Sequence, residues 1–242
     1  MKTTLALVAA LALCAVAARA NPLNDFQSRV QPALIKPFAL DLGGVLGGAS
    51  AHTGRALGMP GFWAGVVGSV QMRPDRDNGI LNAAGVKAFG VPMIEIGVGL
   101  PLKIDVIVHG IKAYDASIFG AGLRYGLYRT DLVDSFMPNV SVSAFGDKVN
   151  HTYFSATHGA LNAAATWNLP IVKPFFVAGY DVTEVKVGAA TTPGVSGLKA
   201  TARGSRFSAG VDVHPLPLIS LRGAYTLRHG IPGFDFGLGA QF

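Results

Sequence analysis

The sequence predicts an all-β protein, an antiparallel up-and-down transmembrane β-barrel of about ten strands, within a range of about eight to twelve. Three observations support this prediction. Segments with apolar residues at every second position recur along the chain, as in strands with one apolar face. The chain begins with a segment typical of exported proteins. The rest is rich in glycine and poor in charge, with 31 glycines and 14% charged residues in the whole chain.

Residues 1–20 are predicted to be a secretory signal peptide. Lys2 lies near the start, an uncharged run extends to Ala18, and Ala18-Arg19-Ala20 has the small residues of a cleavage site. The run is shorter than the roughly 20 apolar residues of a membrane-spanning helix, so an uncleaved anchor is the weaker alternative. We therefore expect an exported chain that begins at Asn21.

The composition after residue 20 excludes several classes of function. Cys14 is the single cysteine and lies in the predicted signal peptide, so disulfides and thiolate metal sites are not expected. Without Lys2 and Arg19, 18 of the 20 Lys and Arg residues remain against 14 Asp and Glu. The resulting net charge of +4 comes without a basic block, and no nucleic-acid partner is expected. An exported chain that is half hydrophobic must place its apolar surface in a core or in lipid.

Residues 61–242 are predicted to form the barrel. Uncharged stretches in this region contain prolines or several polar residues, so a closed barrel is the remaining way to cross lipid with every backbone group paired. A break in the alternation near Glu184 predicts a bulge there. The strand-like segments are FWAGVVGSVQM, MIEIGVGL, LKIDVIVHG, FGAGLRYGLY, VSVSAF, LNAAATW, FFVAGYDVTEVKV, RFSAGVDVH, LRGAYTLR and GFDFGLGAQF.

The connections between these segments predict the orientation of the barrel. Compact connections alternate with more polar ones, of which some are long, and transmembrane barrels place short turns at the periplasm. Both ends of the barrel are therefore expected on the periplasmic side. A soluble barrel would carry Lys, Glu and Thr on its polar face, whereas here that face is largely small, which favours the membrane barrel. The polar connections are RPDRDNGILNAAGVKA, IKAYDAS, DKVNHTYF, GAATTPGVSGLKATA and HGIPG.

The two faces of the strands predict two sets of residues. The apolar face is expected to contact lipid and includes Val106, Leu123, Ala163, Val211, Leu221 and Phe236. The other face is expected to form a polar network in the lumen, with charges balanced in sign. This network consists of Glu95, Lys103, Asp105, His109, Arg124, Arg206, Asp212, Arg222, Arg228 and Asp235.

The segment RFSAGVDVHPLPLISLRGAYTLR predicts a hairpin that turns near Leu216. In that register Asp212 faces Arg222, which predicts an ion pair, and Arg206 faces Arg228. Two facing arginines need an anion. Asp235 on the following strand is the favoured one, and the alternative is a bound carboxylate solute or lipopolysaccharide phosphate.

The last segment, YTLRHGIPGFDFGLGAQF, resembles the closing strand of bacterial outer-membrane barrels. The resemblance implies that Phe234, Phe236, Leu238 and the terminal Phe242 form the recognition signal for the barrel assembly machinery. It also implies location in the bacterial outer membrane, with outer-membrane lipid as a partner.

A longer pattern resembles an uncharacterised family of bacterial outer-membrane β-barrel proteins. Its residues are VQPALIKPF, HTGRALGMPGFWAGV, GLRYGL and AGYDVTEV. A looser likeness, confined to TGRALG and the segment before the barrel, is to the long-chain fatty acid outer-membrane transporter family. Neither resemblance implies a substrate or a catalytic residue.

Residues 21–60 do not alternate and are expected to be partly helical. The sequence DFQSRV predicts a helical turn, and Pro32 and Pro37 are expected to prevent a long helix. Glycines at four-residue spacing, Gly43 with Gly47 and Gly44 with Gly48, favour a small-faced helix that plugs the lumen. The alternative is a periplasmic lead-in.

The function favoured by the sequence is a narrow channel or transporter for small or apolar solutes. The alternative is a non-conducting structural or surface-interaction barrel, and the least favoured interpretation is a lipid-modifying enzyme. Asp212 and His214 share a strand face, but no serine stands beside a histidine in a recognisable pattern. No catalytic residue, metal site or cofactor is therefore expected.

Overall fold

The computed structural model describes residues 23, 26–113, 115–129 and 137–242. In this part of the chain, ten antiparallel strands form a closed barrel in sequence order, which confirms the predicted fold class. The predicted signal peptide, 1–20, lies outside the described residues. The strands are β1 (Phe62–Gln71), β2 (Phe89–Leu100), β3 (Ile104–Ala113), β4 (Ala116–Tyr128), β5 (Asn139–His151), β6 (Phe154–Thr166), β7 (Val172–Val187), β8 (Lys199–Leu216), β9 (Ile219–Arg228) and β10 (Ile231–Gln241). The helices are α1 (Phe26–Arg29), α2 (Pro32–Ala49) and α3 (Gly79–Ala83).

Strand β10 closes the barrel against β1. The Phe62 amide donates to the Phe242 carbonyl at 3.0 Å, and the Phe242 amide donates to the Phe62 carbonyl at 2.9 Å. The two rings lie side by side with centroids 6.3 Å apart. The terminal phenylalanine is therefore held in the ladder. Its side chain is 63% exposed on the outer surface.

Side chains alternate between the lumen and the outer surface. Leu123, Leu161 and Phe207 face outward and are 57%, 63% and 50% exposed, whereas Glu95 and Arg206 face inward and are fully buried. All six residues predicted to contact lipid lie on the outward face and are exposed or partly exposed. The inner face is the polar one, as a membrane barrel requires.

The predicted bulge near Glu184 is wrong. Strand β7 pairs with β8 without a register shift from Val172 to Lys186. The alternation only seemed to break because the inward residues Val185 and Val187 are apolar. Both belong to the cluster of buried side chains around the N-terminal helices, so the chemistry of the inner face changes there and its parity does not.

The two ends of the barrel carry different connections. The long-loop end carries residues 72–88, with α3, and residues 188–198. The short-turn end carries Pro101–Lys103, residues 167–171 and Pro217–Leu218, together with the longer 129–138 connection. Three connections predicted as polar loops are tight, because β3 to β6, β9 and β10 extend farther than the alternation indicates. They are residues 114–115, 152–153 and 229–230.

Helix α2 occupies the lumen and contacts β1, β7 and β8. It enters at the long-loop end, where Phe26 of α1, Phe38 of α2 and Phe154 of β6 pack together with ring centroids 4.9–5.1 Å apart. Residues 50–58 continue through the lumen to the short-turn end. Residues 26–58 thus lie inside the barrel, as the plug interpretation of the sequence expects, and are called the plug segment below.

Helix α2 is longer than the sequence predicts. Pro32 stands at its first turn, where a missing N–H costs nothing, but Pro37 lies inside it. The helix continues because Pro37 removes a single intrahelical donor while the wall of the barrel packs around the following turns. No helix in the described residues is long and apolar enough to cross a membrane.

The four glycines of α2 let the helix fit between opposite walls of the barrel. Gly43 and Gly47 face β6 and β7, and a Cβ at Gly47 would lie 2.6 Å from the Asp181 carboxyl carbon. Gly44 and Gly48 face the opposite wall, near Arg228. Side chains at these positions would push the helix out of contact, which explains the four-residue spacing.

Replacing Leu161 with arginine tests the assignment of the faces. Leu161 lies outward near the centre of β6, and arginine at the middle of a lipid-facing wall lowers the free energy of unfolding by about 2–4 kcal/mol. Asn150→Arg is the matched control, because Asn150 also faces outward but lies beside the long-loop end, where the cost is at most about 1 kcal/mol. Urea unfolding in phospholipid vesicles measures both costs. Equal losses would contradict the assignment.

Candidate functional site in the lumen

A chain of alternating histidines and carboxylates runs around the inner wall of the barrel. It starts on the plug segment, where His52 Nε2 donates to Glu95 Oε1 of β2 at 2.9 Å. Glu95 Oε2 lies 3.7 Å from His109 Nδ1 of β3. His109 Nε2 donates to Asp147 Oδ1 of β5 at 2.6 Å, and Asp147 Oδ2 accepts from His158 Nδ1 of β6 at 2.6 Å. We call this set, with the two residues described next, the lumen chain.

The lumen chain ends on β7 and β8. His158 Nε2 lies 3.6 Å from Asp181 Oδ1, and Asp181 accepts two bonds from Arg206, at 3.2 and 3.3 Å. Arg206 also donates to Asn162 Oδ1 at 2.6 Å. Every member of the chain is at least nine-tenths buried. Buried ionisable groups require such pairing, so the chain fixes the position of each strand that contributes to it.

Inward-facing glycines let side chains bond across an intervening strand. His109 on β3 and Asp147 on β5 meet above Gly120 of β4, where a Cβ would overlap both side chains. Arg206 on β8 likewise reaches Asn162 on β6 above Gly179 of β7. The glycine content of the inner face is therefore a condition for the lumen chain, because any larger residue would block these bonds.

Arg228 of β9 uses a third glycine of this kind. It passes over Gly233 of β10 and donates to the Val70 carbonyl of β1 at 3.1 Å and to Ser69 Oγ at 2.6 Å. It also forms an ion pair with Asp235 of β10. These bonds cross the seam where the barrel closes.

Polar residues at the short-turn end bind the backbone of the plug segment. Asp105 accepts from the Leu57 amide at 3.0 Å and from Arg124 Nε at 2.7 Å. Arg124 donates to the Thr53 carbonyl at 3.3 Å, and Arg222 donates to the Ala51 carbonyl at 3.2 Å. These bonds satisfy backbone groups that the extended segment leaves without a strand partner.

At the long-loop end, Asp41 joins α2 to the 72–88 loop. This fully buried carboxylate accepts from Gln71 Nε2 at 2.6 Å, from Asn78 Nδ2 at 2.7 Å and from the Asp75 amide at 2.9 Å. His229 Nε2 lies 3.4 Å away. The plug is thus attached to the barrel at both ends and along its length.

The predicted register of the β8–β9 hairpin is confirmed, with Arg206 opposite Arg228 and Asp212 opposite Arg222. The two arginines do not share one anion, because Arg228 pairs with Asp235 while Arg206 pairs with Asp181. The prediction missed Asp181 because it treated the alternation of β7 as broken.

The predicted ion pair between Asp212 and Arg222 is wrong. Asp212 instead accepts from Ser220 Oγ at 2.6 Å and from His214 Nε2 at 3.1 Å. Arg222 turns toward the plug segment and lies 5.9 Å from the centre of the Trp63 ring. The prediction considered only the side chains of the strands as acceptors. The backbone carbonyls of the plug segment are further acceptors, and Arg222 bonds to one of them.

Lys103 is the one predicted lumen residue that the structure places outside the lumen. It is exposed in the turn before β3, with a left-handed φ of 61°. The alternation was extended one residue too far, since β3 begins at Ile104. Lys103 is therefore corrected to a turn residue, while the other predicted members line the lumen.

The sequence analysis missed four members of the lumen chain and Asn162, which bonds to it. They are His52, Asp147, His158, Asn162 and Asp181. Asp147 continues the inward parity of Ser141, Ser143 and Phe145, so extending that alternation beyond Phe145 would have found it. For His52, which lies on the plug, the sequence offers no corresponding signal.

The arrangement of Ser220, Asp212 and His214 does not form a nucleophilic triad. Asp212 lies between the other two, so the imidazole does not contact the hydroxyl as a base would. Among the described residues, no three His, Cys, Asp or Glu side chains are grouped so as to hold a metal ion.

A small cavity remains beside the extended part of the plug segment. Its volume is about 30 Å³, and its lining includes His52, Trp63, Arg124 and Arg222. This volume is close to the share of one water molecule in liquid water. The cavity is therefore too small for an organic solute.

Comparisons with known proteins found distant structural likenesses. No protein-family profile matches the sequence, and no curated protein matches it. The N-terminal β-barrel domain of Pseudomonas aeruginosa OprF is 12% identical over 76% of this chain and 99% of that chain, with a TM-score of 0.39. Neisserial surface protein A is 12% identical over 75% of this chain and 95% of that chain, with a TM-score of 0.31.

Ail, the attachment invasion locus protein of Yersinia pestis, is also similar. It is 11% identical over 76% of this chain and 100% of that chain, with a TM-score of 0.32. The looser likeness to the long-chain fatty acid transporter family gains no support from these matches. The fold described above rests on the strand pairing of the chain itself.

Gly120→Ala tests the lumen chain. The added methyl group occupies the path of the hydrogen bond between His109 and Asp147. Both buried side chains are then left without this bond. We expect the free energy of unfolding to fall by about 1–3 kcal/mol, measured by urea unfolding in vesicles. The matched control is Gly146→Ala on β5, where a Cβ meets no atom within 4 Å, and its effect should stay within about 0.5 kcal/mol. A stable Gly120→Ala protein would contradict the role of this glycine.

Proposed function

We propose that the protein is an outer-membrane β-barrel sealed by its own N-terminal plug segment, with a structural or surface-interaction role and no conductance in this state. The observation that carries the proposal is the occupied lumen. Helix α2 packs against β7, β8 and β1, and residues 50–58 fill the rest of the path to the short-turn end. The cavity of about 30 Å³ beside this segment is too small to pass an organic solute.

The way the plug is held favours a sealed barrel over the narrow channel that the sequence favoured. Asp41, Asp105, Arg124 and Arg222 all bond to the plug segment or extend from it to the wall. Releasing the plug would leave these buried charges and the plug backbone without partners, at a cost of several kcal/mol. A transient opening for solute passage would have to meet that cost.

The outer membrane is the proposed location. The outer surface of the barrel is apolar around its waist, with Leu123, Leu161 and Phe207 among its exposed side chains. The export segment predicted for residues 1–20 and the aromatic closing strand support the same location. Outer-membrane lipid and the barrel assembly machinery are then its proposed partners. Recognition of Phe242 by that machinery stays a prediction, and we propose no enzymatic activity.

The direction of the plug bears on the surface role. The Thr191 amide donates to the Gln27 carbonyl at 3.0 Å, so α1 lies beneath the 188–198 loop. If long loops face outward, as in other transmembrane barrels, Leu23 and α1 lie at the cell-surface end of the barrel. The plug segment then runs inward from the surface to the periplasmic end, where β1 starts.

Single-channel recording in planar bilayers tests the seal. The wild-type protein should show no conductance steps, whereas Gly47→Leu should show them, because a leucine side chain collides with Asp181 and displaces α2. The matched control is Ala33→Leu, at an exposed position in the first turn of α2, which should remain silent. Steady conductance by the wild-type protein would overturn the proposal.

Epitope accessibility tests the path of the chain. An epitope inserted between Pro22 and Leu23 should bind antibody on intact cells, because this point precedes α1 at the long-loop end. An epitope inserted between Pro217 and Leu218, at the short-turn end, should bind only after the outer membrane is permeabilised. The opposite pattern would reverse the proposed orientation.

A further inference from the structure

A continuous polar row crosses the outer surface of six strands near the long-loop end. Strand pairing places its members directly opposite one another, from Lys112 of β3 to Lys199 of β8. All face outward, on the same parity as the apolar residues lower on each strand. The row consists of Lys112, Ser117, Asn150, Ser155, Lys186 and Lys199.

Two rows below it add further charge. Lys148 of β5 and Glu184 of β7 belong to the next row, and Arg203 of β8 to the one after. Five exposed cations therefore stand on this surface with one carboxylate. Glu184 pairs with Lys199 at 2.8 Å, and no carboxylate among the described residues of these three rows remains for the other four cations. We call this surface the basic flank.

Lys186 and Lys199 face each other directly across β7 and β8. Side chains in such positions start about 5 Å apart, and like charges there are destabilising unless an anion lies between or beside them. Glu184 reaches only Lys199. The geometry thus leaves a place for a second anion at Lys186.

The basic flank lies immediately above the apolar waist. Phe119 is in the same row as Lys148, and Tyr180 lies two residues below Val182, which faces Arg203. On the outer surface of these strands, the polar side chains of the basic flank thus border the exposed aromatic side chains of the waist. Because the strands of a barrel tilt, the row slopes along the barrel, and we expect the part of it that borders the apolar waist to lie at the level of the bilayer head groups.

The outward faces of the other four strands differ where they approach the long-loop end. On β9, β10, β1 and β2 the described outward residues there carry no charge, and they are Leu227, Pro232, Phe234, Val70, Gly90 and Pro92. On the strands themselves, the outward cations at this end are therefore confined to β3–β8, while the exposed cations of the β1–β2 side lie on the 72–88 loop. General solubility would not require this asymmetry, whereas a bound anionic molecule on the β3–β8 side would.

We propose that the basic flank binds the phosphate groups of an anionic glycolipid in the outer leaflet. Lys148, Lys186 and Arg203 supply charge-assisted hydrogen bonds to phosphate oxygens, and the neighbouring Ser and Asn side chains donate further bonds. The acyl chains lie against the apolar waist directly below. The inference rests on the proposed outer-membrane location, with the long-loop end outward.

The position of these cations favours a lipid over a soluble anion. They stand on the side wall of the barrel, at the edge of the apolar surface, whereas the exposed cations Lys36, Arg73 and Lys87 lie on the plug segment and the 72–88 loop at the mouth. A phosphate that is carried on acyl chains approaches the wall from the bilayer, and a free phosphate has no such constraint.

Lipid enrichment in nanodiscs tests the proposal. Full-length protein is folded into phosphatidylcholine nanodiscs that contain a small fraction of phosphorylated lipid A or of the same lipid without phosphates. Native mass spectrometry then counts the lipid A molecules that stay bound. The test variant combines Lys148→Gln, Lys186→Gln and Arg203→Gln. The control combines Lys36→Gln, Arg73→Gln and Lys87→Gln, which removes the same charge from the mouth.

We expect the wild-type and control proteins to retain phosphorylated lipid A, and the test variant to lose about tenfold or more of that enrichment. Equal losses in both variants, or equal retention of the dephosphorylated lipid, would overturn the proposal. Full displacement by inorganic phosphate would assign the flank to free anions instead and also overturn it. Insertion into nanodiscs, scored by the folded band on unheated gels, is independent of enrichment. Failure to insert would contradict the membrane location, whereas insertion without enrichment would contradict only the lipid site.

Discussion

The closure of β10 against β1 is the constraint on which the rest of the structure depends. It pairs the backbone of every strand on both sides, but it also encloses a lumen that ten strands make slightly wider than wall side chains fill by themselves. The chain fills this space with its own N-terminal segment. The N-terminal segment thereby places a helix end and an extended backbone in a closed interior, where their polar groups need hydrogen-bond partners. The buried acids and arginines of the wall meet this need.

Glycines on both the helix and the barrel wall leave the space that the packing of the plug segment in the lumen requires. Glycines of α2 bring the helix against opposite walls, and Gly120 and Gly179 of the wall leave paths for bonds between strands that are not neighbours. The lumen chain therefore couples six strands through side chains, in addition to the backbone ladder. Each of the wall histidines His109 and His158 bonds to Asp147 and has a second carboxylate within 3.7 Å, so the coupling extends beyond neighbouring strands.

The outer surface divides into regions that match different surroundings. The waist is apolar all round, whereas the outward strand positions near the long-loop end are basic on β3–β8 and uncharged on the other strands described. A barrel with this asymmetry has a preferred side for contact with an anionic neighbour. Inside the barrel, charged side chains bind the plug segment; outside, those of the basic flank are exposed.

The sequence by itself determined the strands and their faces, because side-chain direction in a strand follows a local period of two. It therefore predicted ten strands, the outward residues and the β8–β9 register. It did not determine which inward groups meet. The bond between His109 and Asp147 depends on the register of two strand pairs and on a glycine between them. The apolar Val185 suits its inward position because the N-terminal helices pack against it there. Lys103 and the path of residues 50–58 depend on turn geometry and on acceptors supplied by distant strands. These contacts join residues that are far apart in the sequence. They are therefore determined only by the closed barrel with the plug segment in place.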